Sequence, residues 1–436
     1  MGSRPRIVIV GAGFAGFSTA RSLARLARGT ADIAVINPNN YFLYVPLLPE
    51  VATGVLEPRR VSVPLVTALP GIKLLLGQAE AIDLRARHVR WTDAEDNRRE
   101  VAYDRLVLAA GSVNKLLPIP GVTEHAHGFR GLPEALYLRD HITRQLVLAD
   151  IAQNAHERAA RHTFVVVGAG YTGTEVAAHG VLYTDHLSRL HSRGRIDRGP
   201  HWLLLDVAER VLPELDPRLS RTADRVLRRR GVDVRMGISV QEATSDGVSL
   251  TNGEFVPTRT LVWCVGVRPD PLVAGLGLPT EKGRLCVDPC LRVPGHPDVF
   301  ACGDAAAVPD PARPGHLTPM TAQHAVRQGR TAAHNVAASC GHGERRPYRY
   351  RDLGFAVDLG GGQAAANPFG IPLSGLLAAT ATRGYHLLSL PGNRTRVATD
   401  WLLDVLLPRQ AVQLGLVRGQ AVPLENTAPE IPATPR

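Results

Sequence analysis

The stretch VIVGAGFAGFSTA occupies residues 8–20, and VVVGAGYTGTEVAAHG repeats its form at residues 165–180. Each reads as an apolar strand, a GxGxxG turn and the start of a helix. The first glycine permits the tight turn, the second lets backbone approach a pyrophosphate, and the third lets helix pack on strand. The helix N-terminus then offers unpaired N–H groups and a positive dipole end. Gly11, Gly13 and Gly16 fill these places in the first copy; Gly168, Gly170 and Gly173 fill them in the second. Two copies in one chain imply two dinucleotides, or one dinucleotide and a substrate.

Working outward, RIVIV (6–10), a helix to about Ala27 and IAVIN (33–37) make the β–α–β opening of a doubly wound unit. Short alternating stretches follow in KLLLGQAEAIDL (73–84), HVRWT (88–92) and DRLVLAAGS (104–112), which suggest an antiparallel insert returning to a parallel sheet. From Phe164 the pattern restarts, through WLLLD (202–206), a helix over 217–230 and VDVRM (232–236). Asn252-Gly253 signals a hairpin, and TLVWCVG (260–266) closes the second unit much as DRLVLAAG closes the first. DVFACGDAAAV (298–308) and a helix near 321–338 return to the first unit.

The expected fold is therefore α/β, with two Rossmann-like dinucleotide-binding units, the second inserted into the first, and an α+β tail. The boundaries drawn are residues 1–125 and 281–345 for the first unit, 126–280 for the second and 346–436 for the tail. The proline-rich end ENTAPEIPATPR is expected to lack order.

At 436 residues the chain needs more than one core. No run of ~18 apolar residues suggests a membrane-spanning helix. The fingerprint begins almost at residue 6, which leaves no room for a cleaved signal peptide and favours a cytoplasmic location. The five cysteines form no CxxC pair and no zinc spacing, so they read as structural thiols of a reducing compartment, and no metal is expected. Lysine occurs only at Lys73, Lys115 and Lys282, so arginine carries nearly all of the +10 net charge. Biased codon usage accounts for this as well as an anionic membrane face does. No nucleic-acid-binding pattern appears.

The strand after each glycine helix should end in an acid that holds the adenosine ribose. The second copy supplies Asp206, whose carboxylate accepts from a 2′-hydroxyl and repels a 2′-phosphate, favouring NADH, although Arg210 lies near enough to blur that preference. The first copy supplies Asn37, an amide that weakens one charge-assisted bond or merely starts a turn.

With VFACGDAA (299–306) and YDRLVLAAGS (103–112), the chain resembles the flavoproteins that pair an FAD unit with an NAD(P) unit, the pyridine-nucleotide disulfide reductase-like fold. No redox CxxxxC follows the second strand. Instead NYFLYVPLLPEVATG (40–54), LPEALYLRDHI (132–142), TLVWCVGVRPDPLV (260–273), TAQHAVRQG (321–329) and RGYHLLSLPGNRTRVATDW (383–401) are similar to segments of type II NADH dehydrogenases, the single-subunit NADH:quinone oxidoreductases. The resemblance implies an enzyme with FAD on the first fingerprint and NADH on the second, passing electrons to menaquinone or a similar quinone without proton pumping. It places Gly11, Gly13, Ala15, Gly16, Asn37, Ala79, Gly111, Gly303, Asp304 and Ala322 around FAD. Asp304 would hold a ribitol hydroxyl, and Ala79 would meet adenine through its backbone. Gly168, Gly170, Thr172, Gly173, Asp206 and Gly266 would serve NADH. Glu175, Gln323 and Arg327 would be catalytic, with Glu175 handling protons or, alternatively, only favouring the helix dipole.

Two departures bear on the acceptor. Arg327 stands where the family's AQxAxQxG helix has its second glutamine, and Gln328, one place on, is rotated by ~100°. No lysine follows Lys282, so the family's C-terminal lysine has no counterpart. The segment WLLDVLLPRQAVQLGLV (401–417) has an apolar face broken by Pro408, suited to an interface with a membrane or a second subunit. Peripheral attachment to the inner face of the cell membrane and a homodimer are the expected associations. The alternatives are a soluble NAD(P)H-dependent flavoprotein reductase with another acceptor, or a redox-sensing flavoprotein.

Overall fold

The computed structural model describes residues 4–191, 199–410 and 412–424; the ENTAPEIPATPR end lies outside them. Runs of Val, Ile and Leu with no polar alternation can be buried only on both faces, and they form parallel strands between helices. The first sheet runs in the order Val299–Ala301, Arg105–Leu108, Arg6–Val10, Asp32–Asn37 and Lys73–Asp83, all parallel. Antiparallel strands His88–Asp93 and Arg98–Ala102 extend its edge, as the alternating stretches predict. The second sheet is parallel throughout: Ala126–Gly128, Thr260–Trp263, Thr163–Val167, His201–Asp206 and Asp233–Met236. Strands Gly247–Leu250 and Phe255–Pro257 pair across the Asn252-Gly253 turn, where Gly253 takes φ +85°.

The two units are joined where each closes. Ser112–Asn114, just after LVLAAG, pairs antiparallel with Val267–Pro269, just after LVWCVG. Lys115 N–H donates to the Gly266 carbonyl at 3.0 Å and Asp270 N–H to the Gly111 carbonyl at 3.1 Å. Gly111 and Gly266 both take positive φ here, 79° and 103°. The sequence gives no direct sign of this pairing, because its partners lie about 150 residues apart.

Helix Ala322–Ser339 packs on helix Phe14–Leu26, and the approach is close. A Cβ at Gly329 would lie 2.2 Å from the Ala15 carbonyl oxygen. Thr19 Oγ1 lies within hydrogen-bond reach of both the Ala15 and Gly329 carbonyls, at 2.9 and 3.0 Å. The tail contributes a three-stranded sheet, Ala356–Asp358, Ala364–Ala366 and Leu373–Ser374, then helices Gly375–Ser389 and Arg394–Leu406. The last helix stops before Pro408. Among the described residues, no helix is long and apolar enough to cross a membrane.

Gly329→Val must push the two helices apart, so a loss of about 1–3 kcal/mol is expected, read as a lower Tm. An unchanged Tm would show that this contact is slack.

Candidate functional site

The two fingerprints fold by the same bonds. Gly11 N–H donates to the Ile36 carbonyl and Gly168 N–H to the Leu205 carbonyl, both at 2.8 Å. Ala12 N–H donates to Asn37 Oδ1 at 2.8 Å, and Ala169 N–H donates to Asp206 Oδ2 at 2.5 Å. Asn37 and Asp206 thus hold equivalent places, each pinning the turn that precedes its helix. Asn37 also donates through Nδ2 to the Asn39 carbonyl, so it starts a turn as well. Arg210 donates to the carbonyls of Leu215 and Pro213 in its own loop, which engages it away from Asp206.

The glycines divide into two classes. A Cβ at Gly16 would lie 1.8 Å from the Gly11 carbonyl oxygen, and one at Gly173 the same distance from that of Gly168. These positions serve packing. A Cβ at Gly13 or Gly170 would meet nothing within 4 Å, so these positions face open space. Helix Phe14–Leu26 has neither a side-chain cap nor an acid in its first turn, which leaves its N–H groups for an anion.

A cavity of ≈ 1200 Å³ opens there. Gly11, Gly13, Ala15, Asn37, Ala79 and Gly111 line it, as do Gly303, Asp304, Ala322, Gln323 and Arg327. Thr172 and Glu175 reach it from the second fingerprint helix. Gly16, Gly168, Gly170, Gly173, Asp206 and Gly266 stand outside its lining and build the turns behind it. An open glycine cradle, uncapped helix N–H groups and this volume fit FAD. Gly303 enters with φ +71° and lies against Ala15, where a Cβ would come within 2.8 Å of the Ala15 Cβ. Ser112 Oγ donates to Asp304 Oδ2 at 2.6 Å, orienting the carboxylate.

Gln328 is buried away from Gln323 and Arg327. Its Oε1 accepts from Gly303 N–H at 2.8 Å, and its Nε2 donates to Thr318 Oγ1 at 2.9 Å. Its work is to hold the Gly303 turn, a role the sequence reading did not assign.

Glu175, part-buried on the cavity wall, belongs with part-buried Asp358 and buried Glu50 to a group of acids that the sequence does not reveal. Its Oε1 accepts from Asp358 N–H at 3.1 Å. Burial, then the neighbouring Asp358 and Glu50, push its carboxyl well above the usual range, against that hydrogen bond. Glu50, 2% exposed, accepts from Trp401 Nε1 at 2.6 Å, while its Oε1 has no partner. Burial, then the Asp358 charge, raises Glu50 to about 8. His179 Nε2 lies 3.8 Å from Asp358 Oδ2, and burial lowers the imidazole's pKa against the pull of that carboxylate. Like charges packed in low dielectric cannot all ionise, which disfavours the charged forms of Glu50 and Glu175.

At the far side Gln323 donates through Nε2 to the Gly354 carbonyl at 2.7 Å and leaves its buried Oε1 unpaired. Arg327 donates through Nη1 to the Gln323 carbonyl, and its guanidinium lies 5.2 Å from the Tyr350 ring centroid. The tail is clamped onto residues 44–62 by Trp401 on Glu50, by the Arg60–Asp400 ion pair at 2.8 Å, and by Asn393 Nδ2 within reach of three carbonyls. Tyr44 hydroxyl meets His386 Nδ1 at 3.1 Å, and burial lowers that imidazole to about 4. All five cysteines are free, and burial lifts the Cys264 and Cys302 thiols to about 12, so neither offers a thiolate.

Comparison with known proteins agrees with this geometry. The family model described as pyridine nucleotide-disulphide oxidoreductase matches residues 5–329. A type II NADH:quinone oxidoreductase of Mycobacterium tuberculosis is 32% identical, aligning 96% of this chain with 89% of that protein. The demethylphylloquinone reductase of Synechocystis is 31% identical over 92% of this chain and 96% of its own. In fold, the NDH2 structure from Plasmodium falciparum with NADH gives a TM-score of 0.85 at 18% identity, covering 94% of this chain and all of that one.

This chain belongs to the type II NADH:quinone oxidoreductases. Both glycine fingerprints are present in the chain, and Gln323 lines the cavity. Arg327, with its aromatic support, stands beside that glutamine. FAD and NADH are the cofactors that the family and the two cradles share.

The Glu50 carboxyl, raised from 4.5 to about 8, favours the fold fully below its unfolded pKa and withdraws that support as pH rises through 8. Glu50→Gln keeps an acceptor for Trp401 and has no charge to bury. Its Tm relative to the unsubstituted chain is therefore expected to rise between about pH 5 and pH 8.5, by several degrees. A pH-independent difference would place the Glu50 charge elsewhere.

Proposed function

We propose a division of labour within this NADH:quinone oxidoreductase: the first fingerprint holds FAD, the second holds NADH, and helix Ala322–Ser339 with the tail bounds the quinone. The observation that carries it is the single cavity lined together by Gly13, Thr172, Glu175, Gln323 and Arg327. FAD, when bound, supplies a carrier that takes hydride from NADH and yields electrons to a quinone. The units drawn at 1–125 with 281–345, and at 126–280, follow that division.

The N–H groups opening helix Phe14–Leu26 bind the pyrophosphate, with Gly13 bare so that it can approach. Asp304, oriented by Ser112, accepts from a ribitol hydroxyl, and Ala79 meets adenine along its strand edge. Asp206 keeps lone pairs for the NADH ribose beyond those used by Ala169 and Ala208, and its charge repels a 2′-phosphate. Reducing a quinone with NADH consumes one proton from the medium, since hydride supplies only the other. Glu175, whose charged form is disfavoured by desolvation, holds that proton at the cavity wall. Arg327 retains N–H donors for a quinone carbonyl, and the unpaired Gln323 Oε1 accepts from the quinol hydroxyl.

A quinone dissolved in lipid needs a route from the bilayer. Leu376, Leu377, Leu388, Leu402, Val405 and Leu406 stand 58–76% exposed on the two tail helices. Such a surface belongs against a membrane or a partner. We assign it to peripheral contact with the quinone-bearing membrane. A homodimer through the same face is the other occupant, and sedimentation with and without vesicles separates them.

Asp206→Asn is expected to fold, because Asn37 already holds the equivalent turn with an amide. It removes the charge that rejects NADPH. The NADH-over-NADPH ratio of kcat/KM should fall about tenfold; an unchanged ratio would remove Asp206 from cofactor choice. Glu175→Gln should lower kcat with a water-soluble quinone about 10²-fold with little change in KM for NADH. A normal kcat would leave Glu175 only its structural bond to Asp358.

A further inference from the structure

A feature the proposed function leaves unused is a group of arginines lining the same cleft as the cofactor cradle. Arg21 and Arg25 lie one turn apart on helix Phe14–Leu26. Arg330 follows Gly329 on the helix packed against it, where a Cβ at Gly329 would come within 3.1 Å of the Ser18 Cβ. Arg394 opens the last tail helix, and its guanidinium donates to the Leu390 and Leu388 carbonyls, both at 2.9 Å. The four line one end of the cleft, with Ser18 and Ser22 between them.

Arg21, Arg25 and Arg330 make no ion pair or side-chain hydrogen bond among the described residues, whereas many other arginines of the chain are paired. Burial, then the charges of Arg25, Arg330 and Arg394, lowers the Arg21 pKa, and no acid acts on it in the opposite sense. Like charges at i, i+4 destabilise a helix. Folding therefore gathers these four exposed arginines into one positive patch that attracts an anion.

We propose that Arg21, Arg25, Arg330 and Arg394 bind the phosphate of an anionic phospholipid headgroup. This rests on the membrane contact assigned to the tail, and it deepens that reading by bringing the FAD-unit helix to the same surface. Guanidinium forks match phosphate oxygens in bidentate pairs, and Ser18 and Ser22 add neutral donors. A lipid, rather than a soluble phosphate ester, is chosen because the cluster borders apolar surface. Leu388, whose carbonyl Arg394 holds, is 76% exposed. A headgroup at the arginines places its acyl chains along that leucine face. The overall charge of +10 attracts the same surface at longer range.

The test is flotation of the full-length holoprotein with vesicles of phosphatidylcholine alone and of phosphatidylcholine mixed with phosphatidylglycerol. The variant carries Arg21→Ser, Arg25→Ser and Arg330→Ser together, sparing Arg394, whose bonds hold the tail. Flavin content and Tm report whether the variant is folded; if the triple change unfolds the chain, Arg330→Ser alone replaces it. Unsubstituted protein is expected to bind the anionic vesicles at least about tenfold more tightly, in a salt-sensitive way. The variant should lose most of that anionic preference, keeping only the weak long-range attraction of its remaining positive charge. A variant that keeps the full anionic preference overturns the site. Equal binding of unsubstituted protein to both vesicles also overturns it, while leaving the tail's membrane contact standing. Binding to neither vesicle overturns the membrane contact as well.

Discussion

In each half of the molecule a glycine sits so near the preceding turn that any side chain would collide with it. The Cβ that Gly16 or Gly173 lacks would lie 1.8 Å from the carbonyl oxygen of Gly11 or Gly168. That approach seats the helix against the end of its strand, and a second glycine then faces open space. In the first half, the uncapped N–H groups of helix Phe14–Leu26 consequently face the cavity. Everything later in the chain is arranged around these two turns. The Gly303 loop closes on Ala15, helix Ala322–Ser339 closes on helix Phe14–Leu26, and the two crossover segments pair with each other at residues 112–114 and 267–269.

What the sequence revealed was local. The GxGxxG turns, the unbroken apolar strands and the Asn252-Gly253 hairpin each depend on residues within a few positions of one another, so their spacing is enough. Asp206 and Asn37 were legible as a pair of equivalent positions. Their bonds to Ala169 and Ala12 were not, because an amide and a carboxylate at one place suggested different ligands rather than the same turn. Glu175 was legible from the second fingerprint. Its neighbours were not: Glu50 meets Trp401 across 351 positions, and Asp358 comes from the tail. The arginine cluster was hidden for the same reason, since three separate helices supply it.

The buried acids and the tail are linked physically. Trp401 donates to Glu50, and the strand carrying Asp358 donates to Glu175, so the tail also bears on the charge state of the acids beside the cleft. A carboxyl group kept neutral by burial costs the fold stability at high pH and gives the site a proton at neutral pH. Arg327, held over Tyr350, brings fixed positive charge to the other side of the same cavity. Glu175 and Arg327 thus line one cavity, an acid whose charged form is disfavoured and a fixed cation.

The central claim is that one cavity joins NADH oxidation to quinone reduction. Anaerobic two-stage rapid mixing tests it most directly, following the visible absorbance of the purified flavoprotein. The account predicts that NADH bleaches the band and that a water-soluble quinone, added second, restores it within the steady-state turnover time. A protein purified without flavin, or a bleached band that quinone leaves unchanged, would contradict it.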